Sequence, residues 1–449
     1  MKYDTIHGSV ALLSGMVCWL AVTAAGPAGV RLEASPAADP AGAHPVSAEM
    51  RGAYFTGVYP DLFSSLLGLP EPAVRGKIDS AFARLFYGRD SSERVYYPVG
   101  KDMAYVMDVA NNDVRTEGMS YGMMIAVQLN KRGEFDRLWK WAKTHMQFAE
   151  GPHRGYFAWH CRTDGVKLDS TAASDGEEWF VMALFFASAR WGEGTGIFAY
   201  RTEARAILRT MVHKESEQGH GVISAMFDRH RKLVVFVPEI PGNGFTDPSY
   251  QLPHYYELWA RWGEHDENFW CSAASASRRL LRLAADTSTG LSPDYATFDG
   301  KPTSPWGGGH GDFRFDAWRV AMNVAVDWLW FRKDPWQVTQ SNRLLEFFHT
   351  RGVRTYGNQF TLDGRQIGDD HSTGLVAMNA VAALAATSDL RKTFVEELWR
   401  APIPSGFYRY YDGMLYMLAL LQVGGEFRIY DPTGTPVDHC SEEGADAKH

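Results

Sequence analysis

The chain has 449 residues, a formal net charge of -8, 45% hydrophobic and 22% charged residues. That usage is ordinary for a globular protein and excludes a disordered one. The acidic balance excludes a generic binder of phosphate backbones, so no nucleic-acid partner is expected. Fifteen Trp, 20 Tyr and 25 Phe stand out, and most such rings belong in a core.

In chain order, Lys2 is followed by an apolar run over 10–25 that is broken only by Ser14, Gly15 and Thr23. Small residues at Val22–Ala25 suit cleavage, so 1–25 reads as an export signal, with an uncleaved signal anchor as the alternative. Residues 26–46 read as a flexible linker, and no later run is apolar enough to span a bilayer. The mature form is therefore expected free of the membrane, periplasmic or secreted. Cys18, Cys161, Cys271 and Cys440 have no CxxC spacing and allow one disulfide or none.

Apolar residues recur with a helical period over 71–87, 117–131, 133–149, 174–191, 199–213, 251–263, 266–285, 315–331, 334–350, 372–386, 389–400 and 408–423. Strand signals are few: 222–224 with 233–238 as a short hairpin, and 356–362 as an edge strand. Ser174 and Glu177 have the spacing of a capping box, and Asp312 can cap the helix that carries Trp318. Short connections inside pairs imply antiparallel neighbours. Six helical hairpins predict an all-α fold over 47–428, a closed (α/α)6 barrel of paired helices; an open superhelix is the alternative, without the repeated motif that solenoids show. Residues 429–449 read as a polar C-terminal tail.

If the hairpins alternate in direction, every second helix starts on one rim. The residues at those starts are Glu117, Asp175, Tyr250, Asp316, His371 and the Tyr408/Tyr410/Tyr411 cluster. A lone acid in a first turn is explained by the helix dipole. Three acids on one rim, with aromatics and a His between them, point to carboxyls that divide acid and base work. Trp159 and Trp306 lie in loops, where a ring can take the apolar face of a sugar. Gly118-Met119-Ser120-Tyr121-Gly122 matches the serine-hydrolase elbow, but its polar approach lacks the buried strand that the elbow needs. The glycine run 307–309 lacks the strand and Lys of a P-loop and reads as a flexible loop delivering Asp312 and Asp316 to the rim. Asp369-Asp370-His371 lacks a second ligand cluster, so neither a metal nor another cofactor is expected.

Three segments carry a resemblance to a known family. They are Thr116-Glu117-Gly118-Met119-Ser120-Tyr121-Gly122-Met123, Ala173-Ser174-Asp175-Gly176-Glu177-Glu178-Trp179 and Phe315-Asp316-Ala317-Trp318-Arg319. With them, residues 50–425 resemble glycoside hydrolase family 8. The resemblance implies an inverting (α/α)6 hydrolase of β-1,4-linked saccharides. It implies Glu117 as general acid, Asp316 as general base and Asp175 as the residue that orients and distorts the sugar. Phe315 stands where the family often has Tyr. Asp247-Pro248-Ser249-Tyr250 and His371-Ser372-Thr373-Gly374-Leu375 resemble the reducing-end xylose-releasing members. That implies a xylo-oligosaccharide substrate, with Tyr250 helping to hold the attacking water and His371 meeting the reducing-end sugar. Arg319, Trp159 and Trp179 are further candidates to bind the substrate, and a monomer is expected. An endo-acting xylanase or glucanase on the same scaffold is the alternative.

Overall fold

The computed structural model describes residues 51–218, 222–432, 434 and 440. The expected export signal, with Cys18, and the linker lie outside the described residues, as does most of 433–449. Two short helices open the described chain, α1 (Ala53–Thr56) and α2 (Leu62–Leu67). All twelve helices expected from periodicity follow: α3 (Glu71–Tyr87), α4 (Thr116–Gln128), α5 (Arg132–Trp141), α6 (Ser174–Trp191), α7 (Tyr200–Gln218), α8 (Pro253–Trp262), α9 (Glu267–Ala284), α10 (Trp318–Phe331), α11 (Trp336–Thr350), α12 (Thr373–Ala382), α13 (Leu390–Arg400) and α14 (Arg409–Val423).

They form an (α/α)6 barrel. Helices α4, α6, α8, α10, α12 and α14 pack each on the next, and α14 packs back on α4 to close the inner ring. Each of α5, α7, α9, α11 and α13 covers the inner helix before it, and α3 covers α14. The burial pattern follows from this placement. Inner α4 buries every residue except Glu117, as a helix enclosed on all sides must. Outer α9 buries a stripe, with Trp270, Ala273, Ala274, Ser277, Leu280, Leu281 and Ala284 inward. Glycines set the closest approaches at the inner helix starts. A Cβ on Gly118 would lie 2.5 Å from the Tyr410 ring, and one on Gly176 would lie 2.4 Å from the Thr116 side chain. Trp139, Trp141, Trp259, Trp262, Trp270 and Trp330 are fully buried between the rings, which accounts for much of the aromatic excess.

Several local expectations are corrected. A four-stranded antiparallel sheet joins β1 (Tyr96–Val99), β2 (Met103–Asp108), β3 (Asp113–Arg115) and β4 (His160–Cys161). The expected hairpin is shifted inward to β5 (Phe227–Asp228) and β6 (Leu233–Val234), and the expected edge strand shrinks to β7 (Gln359–Phe360), paired with β8 (Gln366–Gly368). No capping box forms at α6. The Ser174 hydroxyl is buried without a partner, and Glu177 Oε1 instead accepts the N–H of Phe157 at 2.8 Å. Asp312 does not cap α10. The Ala317 N–H donates to Asp294 Oδ1 at 3.1 Å.

The C-terminal stretch expected as a polar tail is tied to the barrel. Tyr430 packs edge-on against Phe186 at 5.7 Å, and the Ile429 N–H donates to the Tyr59 hydroxyl at 3.0 Å. Cys440 forms a disulfide with Cys271 on α9, 169 residues earlier in the chain. This is the single bridge that the cysteine count allowed. Closing so long a loop predicts a contribution of about 2–4 kcal/mol. Thermal melts with and without reductant check this: the wild type melts lower when reduced, and the Cys271→Ser/Cys440→Ser double variant loses that sensitivity.

Candidate active site

Strand β3 runs directly into α4, and the Thr116 N–H donates to the Trp159 carbonyl at 2.9 Å, fixing where the helix begins. Glu117 follows in the first turn, its side chain 17% exposed. Ser120, the centre of the elbow-like motif, lies further along α4 and is fully buried. Its hydroxyl donates to the Glu117 carbonyl at 3.0 Å. A strand does lead into the motif, but this serine presents no nucleophile.

The rim acids meet at Arg319. Its guanidinium is only 3% exposed. Nη1 donates to Glu117 Oε2 at 3.0 Å, to Asp175 Oδ2 at 3.2 Å and to the Tyr121 hydroxyl at 2.8 Å. Nη2 donates to Asp316 Oδ1 at 2.8 Å and lies 4.0 Å from Asp247 Oδ2. Asp247 is fully buried, and its Oδ1 accepts the Ser249 N–H at 2.6 Å. Thus one cation holds carboxyls from the starts of α4 and α6, from the turn before α8 and from the residue pair before α10. Arg319 was expected to hold substrate; the structure instead uses it to hold the acids, because both terminal nitrogens are occupied by protein groups.

One buried positive charge among four carboxyls leaves an excess of negative charge. Burial pushes the Glu117 carboxyl up to about 7, opposed by Arg319 and aided by Asp175 and Asp316. Burial likewise raises Asp175, and raises Asp247 well above the usual range. The Tyr410 hydroxyl donates to Glu117 Oε1 at 2.9 Å, so both Glu117 oxygens are oriented. Tyr411 donates to the Phe315 carbonyl at 2.8 Å beside Asp316. Asp316 itself is the most open of the four carboxyls, at 29%.

The expected aromatic residues divide. Tyr250 lies beside the cluster, with its ring stacked on Phe236 at 5.4 Å and the Arg319 guanidinium 5.6 Å above it. Trp159 is half-buried, stacked on His160 at 3.6 Å and 5.5 Å from the Arg115 guanidinium. Trp306 projects from its loop, 52% exposed, over Phe236 and Phe245. Trp179 is corrected. It is 3% exposed and packs edge-on against Tyr121 and Tyr255. A ring so enclosed supports the Tyr121 hydroxyl and offers no face to a ligand. His371 is exposed at the start of α12, its Nδ1 bonded to the Tyr356 carbonyl at 2.9 Å. The roles of Asp247 and Tyr121 were not read from the sequence, although both lie in motifs quoted above.

The profile of Glycosyl hydrolases family 8 matches residues 103–425. The chain belongs to that family. As a family 8 member it is a glycoside hydrolase, and all six inner helices and all four Arg319-linked carboxyls lie in the matched span. It is 48% identical over 386 residues to the reducing-end xylose-releasing exo-oligoxylanase Rex8A of Paenibacillus barcinonensis, covering 85% of this chain and 99% of that one. The structure of Rex8A with xylose superposes with a TM-score of 0.81, covering 85% of this chain and 100% of that one. A family 8 xylanase of Teredinibacter turnerae, solved as a catalytic mutant with xylohexaose, is 45% identical with a TM-score of 0.81, covering 84% of this chain and 100% of that one.

The family 8 site predicts opposite responses from its central charges. Glu117 keeps its proton in the native state up to about pH 7, whereas the unfolded chain gives up that proton near the ordinary glutamate value. The native state therefore binds more protons between about pH 4.5 and 7, and stability falls with rising pH across that window. Glu117→Gln lessens this decline, and above pH 7 it is expected to be more stable than the wild type by roughly 1–3 kcal/mol. Arg319→Ala leaves the carboxyls unpaired and costs about 3–5 kcal/mol. Denaturant melts from pH 5 to 8 check both.

Proposed function

We propose that this chain hydrolyses β-1,4-xylosidic bonds with inversion and releases xylose from the reducing end of xylo-oligosaccharides. The observation that carries the reading is the unequal setting of two carboxyls on one guanidinium. Glu117 is enclosed, oriented by Tyr410 and raised to about 7, which suits a general acid. Asp316 is open to water and ion-paired to Nη2, which suits a base that takes a proton from water. Glu117 protonates the glycosidic oxygen as that bond breaks. Asp316 removes a proton from the water that attacks the anomeric carbon from the other face. Inversion needs the two groups roughly 6.5–9.5 Å apart, and a guanidinium between them keeps them from closing to contact. Asp175, held on the same Nη1, orients the sugar at the cleavage point.

The similarity to Rex8A supports release from the reducing end, and exposed His371 at the rim is the residue proposed to meet the sugar there. Endo cleavage is the second reading. It rests on exposed Asp369 and Asp370 just before His371, in the segment proposed to meet the reducing-end sugar. Export to an oxidising compartment is part of the proposal, supported by the disulfide between Cys271 and Cys440.

Reducing-end-labelled xylohexaose separates the two readings. Exo action gives labelled xylose as the sole early labelled product; labelled xylobiose or xylotriose at early times shows endo action. Glu117→Gln and Asp316→Asn are each expected to lower kcat by roughly 10²–10⁴-fold. A soluble variant of either with a near wild-type rate overturns the assignment. The alkaline limb of kcat/KM is expected to fall through about pH 7, where Glu117 loses its proton.

A further inference from the structure

Behind Asp316 lies a polar pair that this hydrolytic scheme does not use. Asp294 is buried, and its two carboxyl oxygens face different partners. Oδ1 accepts the Ala317 N–H at 3.1 Å, and Oδ2 lies 3.1 Å from His310 Nδ1. Ala317 directly follows Asp316, so this contact holds the peptide that joins Asp316 to α10. His310 is held in turn. Its ring lies flat on Tyr295 at 4.2 Å and 15°, and its carbonyl accepts the Tyr295 N–H at 2.8 Å. The Asp294 N–H donates to the Asp312 carbonyl at 3.0 Å, stitching the loop to the same segment.

The glycine run makes this fold-back possible. Gly307, Gly308 and Gly309 have φ of +77°, +78° and +78°, a region that other residues enter at a cost. A Cβ on Gly308 would stand 3.1 Å from His310 Nε2, and one on Gly309 would stand 2.4 Å from the Arg314 guanidinium. The loop read from sequence as delivering Asp312 thus delivers His310.

We propose that Asp294 and His310 are a positioning pair for the base: Asp294 fixes the Asp316–Ala317 peptide, and thereby the aim of the Asp316 carboxylate, while His310 fixes Asp294. The proposal rests on the reading of Asp316 as the base. Alignment matters because a misplacement of about 1 Å, even from a distant change, can lower a rate about 10²-fold. The titratable groups facing Asp294 are His310, Tyr295, Asp316 and Asp247, and Asp247 also faces Asp316 and Arg319. Burial raises the Asp294 carboxyl to about 6, with His310 opposing the rise and Asp316 adding to it.

Three variants test the pair, each with its thermal midpoint measured alongside. Asp294→Ala removes the acceptor that holds the Ala317 N–H. It is expected to lower kcat by roughly 10- to 100-fold with little change in KM. His310→Ala is expected to lower kcat by roughly 10- to 100-fold with little change in KM, and His310→Gln, which restores a donor, to recover most of that loss. Wild-type kcat in both Asp294→Ala and His310→Ala overturns the proposal, as does a loss of kcat that only tracks a loss of thermal stability. If Asp316→Asn itself stays active, the assignment of the base fails; if it is inactive while the pair variants behave as wild type, only the pair fails.

Discussion

A single buried guanidinium organises the catalytic end of this barrel. Arg319 binds three carboxyls directly and faces a fourth, all brought from different inner-ring positions. Removing so many polar groups from water is unfavourable unless each finds a partner. Arg319 supplies the partner but only one positive charge, so the cluster has an excess of negative charge. Burial first, and the neighbouring carboxyls second, raise the proton affinity of Glu117, while Asp316 remains open to solvent. The chemistry assigned to the site follows from this inequality.

The scaffold makes the cluster possible by closing a ring. The four carboxyls lie between positions 117 and 316, and only the return of α14 onto α4 places Tyr410 against Glu117. Close approach depends on missing side chains, at Gly118 under Tyr410 and at Gly176 against Thr116. Aromatic packing then fixes the supporting groups, with Trp179 behind Tyr121 and Phe236 under Tyr250. Many of the rings that stood out in the composition therefore hold the site in shape, and a minority, Trp306 foremost, face solvent beside it.

Much of this was legible in the sequence because helices announce themselves over many residues. Each of the twelve long helices carries a 3.6-residue apolar period, and their alternation is enough to place Glu117, Asp175 and Asp316 on one rim. The sheet of β1–β4 was not legible in the same way. Its strands are short, and β3 and β4, at three and two residues, are too brief to show an alternation. Side-chain choices were less legible still. Ser174 and Glu177 have the spacing of a capping box, but Phe157, from a distant loop, competes for the glutamate. Trp179 reads as a ligand ring from its place beside Asp175, and only the packing of Tyr121 and Tyr255 shows it enclosed. The meeting of Asp294 with Ala317 depends on tertiary placement that no local pattern encodes.

Burial beside Asp175 and Asp316 holds Glu117 protonated near neutrality, against the opposing charge of Arg319. The most direct measurement is a carbon-13 NMR titration of the glutamate side-chain carboxyls, with the Glu117 resonance identified by its loss in Glu117→Gln. A titration midpoint near 7 is expected. A midpoint in the ordinary glutamate range, near about 4.3, would contradict it.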